Sequence, residues 1–119
     1  MTLNHLNLTV TDVPATVALF EKYFGLRRTA MDNANMAFMR DDNDAFISMF
    51  RGSDVSYPGM FHIGFTQETE QQVDAIYQRL VADGFAPTAP REDHGRWTFY
   101  FRSPGGVVIE VQKFHRSWY

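Results

Sequence analysis

The chain contains no cysteine. That absence excludes disulfides, thiolate nucleophiles and thiolate metal ligands, so any metal would have to rest on His, Asp, Glu and water. Long apolar runs are missing too. Nothing in the sequence approaches the roughly 20 residues that cross a bilayer, so no membrane partner is expected. Excess charge is scarce: the net charge is −3 and the pI about 5.7, which gives no electrostatic footprint for nucleic acid. The opening MTLNHLNLTVTD has neither a basic n-region nor an apolar h-region, and a cytoplasmic location is the expectation.

What the sequence does contain is enough for one packed domain spanning residues 1–119. Hydrophobic residues make up 45% of the 119 positions and aromatics 15%, a composition that folds rather than staying disordered. The chain also repeats itself. NHLNLTVTDVPATVALFEKYFGLRRTA starts at Asn4 and FHIGFTQETEQQVDAIYQRLVADGFAPTA at Phe61. Each places a His, His5 or His62, one residue into an alternating strand, then crosses a polar cap into an amphipathic helix. Thr11 or Asp12 can cap the first helix, with Pro14 in its opening turn; Thr69 can cap the second. Gly25 and Gly84 supply the stops. Further on, AFMRDDNDAFISMF aligns with FYFRSPGGVVIEV when Arg40 is set against Arg102. Both segments read as strand, tight turn, strand, which makes DDND a solvated hairpin turn rather than a calcium loop. Each half is therefore βαβββ, module 1 over about residues 1–53 and module 2 over about 58–114. The fold class expected is α+β: two βαβββ modules in a curved mixed sheet around a cleft, helices outside.

Strand alternation sorts the odd residues onto faces. Leu6, Leu8 and Val10 belong with the first helix, which turns His5, Asn7 and Thr9 the other way. Phe61, Ile63 and Phe65 leave His62 and Gly64 on the non-helical side. Val107, Ile109 and Val111 leave Glu110, and Trp97, Phe99 and Phe101 leave Thr98 and Tyr100. A carboxylate buried in the apolar run VVIEV costs several kcal/mol unless it is paired or coordinated. Two accounts of Glu110 follow. In one, two neutral imidazoles, His5 and His62, converge with Glu110 on a divalent metal with open positions. In the other, Glu110 pairs with Arg102 or Lys113. The repeat sets Ser48 where a second carboxylate would stand, so three protein ligands are expected. Gly64 leaves room above them, and Met36, Phe38, Phe46 and Phe50 line an apolar wall suited to a small organic ligand.

The LNHLNLTVTDVPATVALFEKYFGL opening, FHIGF and FYFRSPGGVVIEV together resemble the vicinal oxygen chelate superfamily, which includes glyoxalase I, extradiol dioxygenases, fosfomycin-resistance thiol transferases and bleomycin-binding proteins. The resemblance covers nearly the whole chain. It implies paired modules, commonly in a homodimer, and metal ligands at His5, His62 and Glu110. It also implies a metal-dependent dioxygenase, lyase, isomerase or thiol transferase. The substrate would be small and chelated through vicinal oxygens, and the cofactor would be Fe2+, Mn2+, Ni2+ or Zn2+. Tyr100 would donate a hydrogen bond to the substrate oxygen, and His94 would be a proton shuttle. The chain departs from the family at Ser48, where glyoxalase I-like members carry a carboxylate. It departs again at Asn7, Pro90, Arg91 and His94, which match the fosfomycin transferases' anion-holding groups loosely. A bleomycin-binding relative would need no metal and would sequester its ligand instead. The C-terminal FHRSWY would pack on a partner or fray.

Overall fold

The computed structural model describes residues 1–116. Ser117, Trp118 and Tyr119, the end of the FHRSWY tail, lie outside the described residues. The chain divides into two compact units. The first holds residues 1–58 together with 103–106, and the second holds 59–102 together with residues 107 onward.

In the first unit the order is β1 (His5–Val10), α1 (Val13–Phe24), β2 (Arg27–Asp32), β3 (Met36–Arg40) and β4 (Phe46–Arg51). The four strands form a mixed sheet in the order β1-β4-β3-β2, with β1 parallel to β4 and the other pairs antiparallel. Asp12, not Thr11, caps α1: its Oδ1 accepts the Ala15 N–H at 3.0 Å. Gly25 ends the helix at φ 67°, a conformation a side chain would strain. Leu8, Val10, Val13, Val17, Phe20, Met39 and Met49 are sealed in the core beneath α1. Leu6, toward the start of an edge strand, is 39% exposed and does not join them. DDND forms the β3–β4 turn, with Asp41 Oδ1 accepting the N–H groups of Asn43 and Ala45.

The second unit repeats the plan: β5 (His62–Thr66), α2 (Glu70–Ala82), β6 (Arg91–Asp93), β7 (Arg96–Arg102) and β8 (Val108–Phe114). Its sheet runs β5-β8-β7-β6, with β5 parallel to β8. Thr69 and Gln72 cap α2 reciprocally in a capping box. Val73, Ile76 and Leu80 from the helix meet a core of Phe99, Phe101, Ile109 and Val111. The fold is thus α+β, with each module carrying its own four-stranded mixed sheet. The registers superpose residue for residue: His5 beside Phe46 and Ser48 opposite Phe38 in one, His62 beside Val108 and Glu110 opposite Tyr100 in the other.

Candidate functional site

Glu110 sits in the middle of β8, 4% exposed, between Gly64 on β5 and Tyr100 on β7. Its neighbours on that face are Arg96, Thr98 and Tyr100, every second residue of β7, because side chains alternate across a strand. Oε2 accepts from Arg96 Nε at 2.8 Å and from Thr98 Oγ1 at 2.7 Å. The Gln112 side-chain amide, oriented so that both its atoms are satisfied, adds donations at 3.2 and 3.3 Å. A Cβ at Gly64 would press on that amide at 3.2 Å. The space the glycine leaves is therefore filled by Gln112 rather than open above the carboxylate.

The buried charge is paired, and the partner is Arg96. Neither Arg102 nor Lys113 takes that place. Lys113 alternates onto the opposite face, and Arg102 lies beyond Tyr100, opposite Val108. Arg96 starts β7, and its long side chain runs forward along the strand to the carboxylate opposite Tyr100. All three guanidinium nitrogens are committed: Nε to Glu110, Nη1 to the Asp93 carbonyl at 3.0 Å, and Nη2 to the Tyr100 hydroxyl at 2.9 Å. The Tyr100 hydroxyl also faces Glu110, and each shifts the other's pKa. Burial pushes the Glu110 carboxyl upward, but hydrogen bonds from Thr98, Arg96 and Tyr100 and the Arg96 charge outweigh it and hold it below its ordinary value. Burial and the bond to Glu110 raise Tyr100 above its ordinary value, against the pull of Arg96.

His62 completes this face. Its Nδ1 lies 2.9 Å from the Met60 carbonyl, and a carbonyl oxygen only accepts. Nδ1 therefore carries a proton, and in the neutral ring Nε2 holds the lone pair. That Nε2 stands 3.3 Å from Glu110 Oε1. The ring also meets Tyr100 edge-on, centroids 5.5 Å apart. Two acceptors facing one another are poorly matched unless a cation or a proton lies between them. Donors each about 2.1 Å from one divalent ion stand about 3.0–3.4 Å apart at octahedral to tetrahedral angles, so the pair fits a metal.

In the first unit His5 repeats the pattern of His62. Its Nδ1 lies 2.8 Å from Asn4 Oδ1, its ring stacks on Phe46 at 5.0 Å, and in the neutral ring Nε2 is again the nitrogen with the lone pair. Ser48, at the place of Glu110, donates its hydroxyl to Asn7 Oδ1 at 2.7 Å. Phe38 packs against both Phe46 and Phe50. Among the described residues no three His, Asp or Glu side chains form a ready cluster. His62 and Glu110 are brought together within one unit, and His5 belongs to the other. His94 stands elsewhere. With Gly95 it makes the two-residue β6–β7 turn, at φ 50° and 78°, the pattern of a type I′ hairpin. Its side chain is 83% exposed, with Nδ1 2.6 Å from Asp93. Arg96 is the site residue that sequence reasoning did not connect to Glu110, although alternation along β7 from Tyr100 and Thr98 marks it as sharing their face; Gln112 shares that face by alternation from Glu110 along β8.

Two βαβββ modules, each opening on a His-bearing strand and one closing on a buried carboxylate, define a class of paired-module α+β proteins. The chain belongs to the Glyoxalase/Bleomycin resistance protein/Dioxygenase superfamily, whose family model matches residues 2–111. It is similar to a solved structure of a possible glyoxalase from Bacillus cereus, 47% identical with a TM-score of 0.88, over 93% of this chain and 97% of that one. A metallothiol transferase FosB from Lysinibacillus sphaericus (strain C3-41) is 27% identical over 91% of this chain and 79% of its own length. The fold is also that of the fosfomycin resistance protein FosX from Listeria monocytogenes, with 20% identity and a TM-score of 0.79 over 98% of this chain and 92% of that one.

Proposed function

We propose that the protein is a divalent-metal-dependent enzyme acting on a small organic substrate through two neighbouring oxygens. His62, Glu110 and His5 would be the metal ligands, His5 coming from the same chain or from a second copy in a homodimer. The observation that carries this reading is the facing pair, His62 Nε2 and Glu110 Oε1 at 3.3 Å, with the His62 proton committed to Met60. A bound Fe2+, Mn2+, Ni2+ or Zn2+ would act as a Lewis acid on the substrate oxygens. The similarity to a metallothiol transferase favours a thiol-addition type of reaction. Ser48 supplies no carboxylate base for an isomerisation.

The chain's own groups have separable tasks. Arg96 and Thr98 hold Glu110 by one oxygen, and Arg96 holds Tyr100 by its hydroxyl. Tyr100, with its pKa raised, keeps its one proton at neutral pH and would turn it from Glu110 to a substrate oxygen bearing negative charge. The Phe38, Phe46 and Phe50 face suits the substrate's apolar part. His94, exposed and paired with Asp93, would be the group that exchanges protons with bulk water. A cytoplasmic location agrees with this chemistry.

A second reading has its own observation. Because Arg96 already neutralises Glu110, the carboxylate needs no metal for its charge, and the face would serve as a metal-free binding surface, as in a ligand-sequestering protein. Metal content by mass spectrometry on protein purified without chelator, beside Glu110→Gln, separates the two. One first-row metal per chain, lost in the variant, supports the enzyme. Protein that takes up none of the four ions overturns it in favour of the binder.

A further inference from the structure

We infer that Arg96 is a positioning residue that makes Glu110 a one-oxygen ligand. This rests on the proposed metal reading. The two carboxylate oxygens have different surroundings. Oε2 accepts Arg96 Nε at 2.8 Å and Thr98 Oγ1 at 2.7 Å, while the Gln112 amide reaches both oxygens more weakly, Oε2 at 3.2 Å and Oε1 at 3.3 Å. Oε1 is the one turned toward His62 Nε2. The carboxylate cannot rotate to offer both oxygens to a cation without breaking the bond to Arg96. Nor is Arg96 free to follow, since its other two nitrogens hold the Asp93 carbonyl and the Tyr100 hydroxyl, and its side chain is only 16% exposed.

Arg96 therefore does two things at once. It fixes which oxygen of Glu110 is presented, and through Nη2 it fixes the Tyr100 hydroxyl relative to that oxygen. The planar fork is what allows three acceptors on β6, β7 and β8 to be held by one side chain, and lysine has no equivalent geometry. Charge alone does not reproduce it.

The test is Arg96→Lys, which keeps the charge and loses the fork, with Thr98→Val as a second variant that removes the other donor to Oε2. Each would be titrated with Co2+ while affinity and the visible d–d absorption are followed, and folding would be checked by circular dichroism. Wild type should bind one Co2+ per chain. Arg96→Lys should bind about tenfold more weakly, the low end for loss of an outer-shell partner. Its absorption should change in intensity, because a released carboxylate changes the coordination number. Thr98→Val should shift both readouts in the same direction. An Arg96→Lys protein that is folded and matches wild type in affinity and spectrum overturns the inference. If that variant does not fold, Thr98→Val decides by the same criterion. Wild type that binds no Co2+ fails differently: it removes the metal reading itself, and the inference with it.

Discussion

Glu110 shows how a single residue can be buried as an anion and still be stable. Its Oε2 receives one charge-assisted hydrogen bond from Arg96 and a short bond from Thr98, and these donors with Tyr100 and the Arg96 charge outweigh desolvation. Thr98 is fully buried, so Thr98→Val keeps the shape and withdraws one donor. A loss of about 1–3 kcal/mol in urea denaturation is expected. An unchanged midpoint would show that the hydroxyl contributes nothing. The folded pKa of Glu110 lies below its ordinary value of 4.5. Its contribution to stability is thus complete above that value and is lost as pH falls toward the depressed one. Chelator-treated wild type should lose stability steeply below about pH 4.5, and Glu110→Gln should show a shallower acid limb. Equal limbs in the two proteins would assign the acid sensitivity to other carboxylates. Tyr100 has the opposite sign. Its raised pKa gives stability that is complete at neutral pH and is lost only as alkali passes the folded value.

At the scale of elements, caps and close approaches set where each helix and turn can lie. Thr69 accepts the Gln72 N–H while the Gln72 side chain returns to the Thr69 backbone. Thr69→Ala should cost about 1 kcal/mol, read as a lowered thermal midpoint. The segment 103–106 belongs with the first unit, and Thr11 holds it by two carbonyls, its hydroxyl donating to that of Pro104 at 3.3 Å. The Gly105 carbonyl accepts the Thr11 N–H at 3.1 Å, and a Cβ there would come within 2.4 Å of Thr16 Oγ1 and 2.8 Å of Val10 Cβ. Gly105→Ala should therefore destabilise by about 1–3 kcal/mol through overpacking, although alanine is otherwise harmless at this backbone angle. If it is neutral, that turn moves aside freely. Helices, stops and both hairpin turns were legible in the sequence because their signals are local: a cap, a period, a glycine. The contact of Gly105 with Val10 and Thr16 was not, since nearly a hundred residues of chain separate them.

For the whole molecule, the repeat is the organising fact. Two sheets with the same strand order carry different residues at matching places: His5 and His62 alike, but Ser48 against Glu110 and Phe38 against Tyr100. One module is without a buried charge at the face where the other is ionic. If the proposed metal binds, free ion at 100 times its dissociation constant should stabilise the folded protein by about 2.7 kcal/mol. Chelator should reverse the gain, and Glu110→Gln should abolish it. Stabilisation that survives the substitution would place the ion elsewhere.

The sequence by itself determined the modules, their faces and the burial of Glu110, because strand alternation and helical spacing are properties of neighbours along the chain. It also left the choice between a metal and a salt bridge for that carboxylate, and Arg102 and Lys113 were the cations considered. Only the tertiary structure decided that Arg96 holds Glu110. That pairing depends on the β7–β8 register, on a side chain long enough to run forward along its own strand, and on the Asp93 and Tyr100 acceptors that fix its direction. The proton position on His62 was decided in the same way, by a Met60 carbonyl whose orientation no spacing of residues reveals.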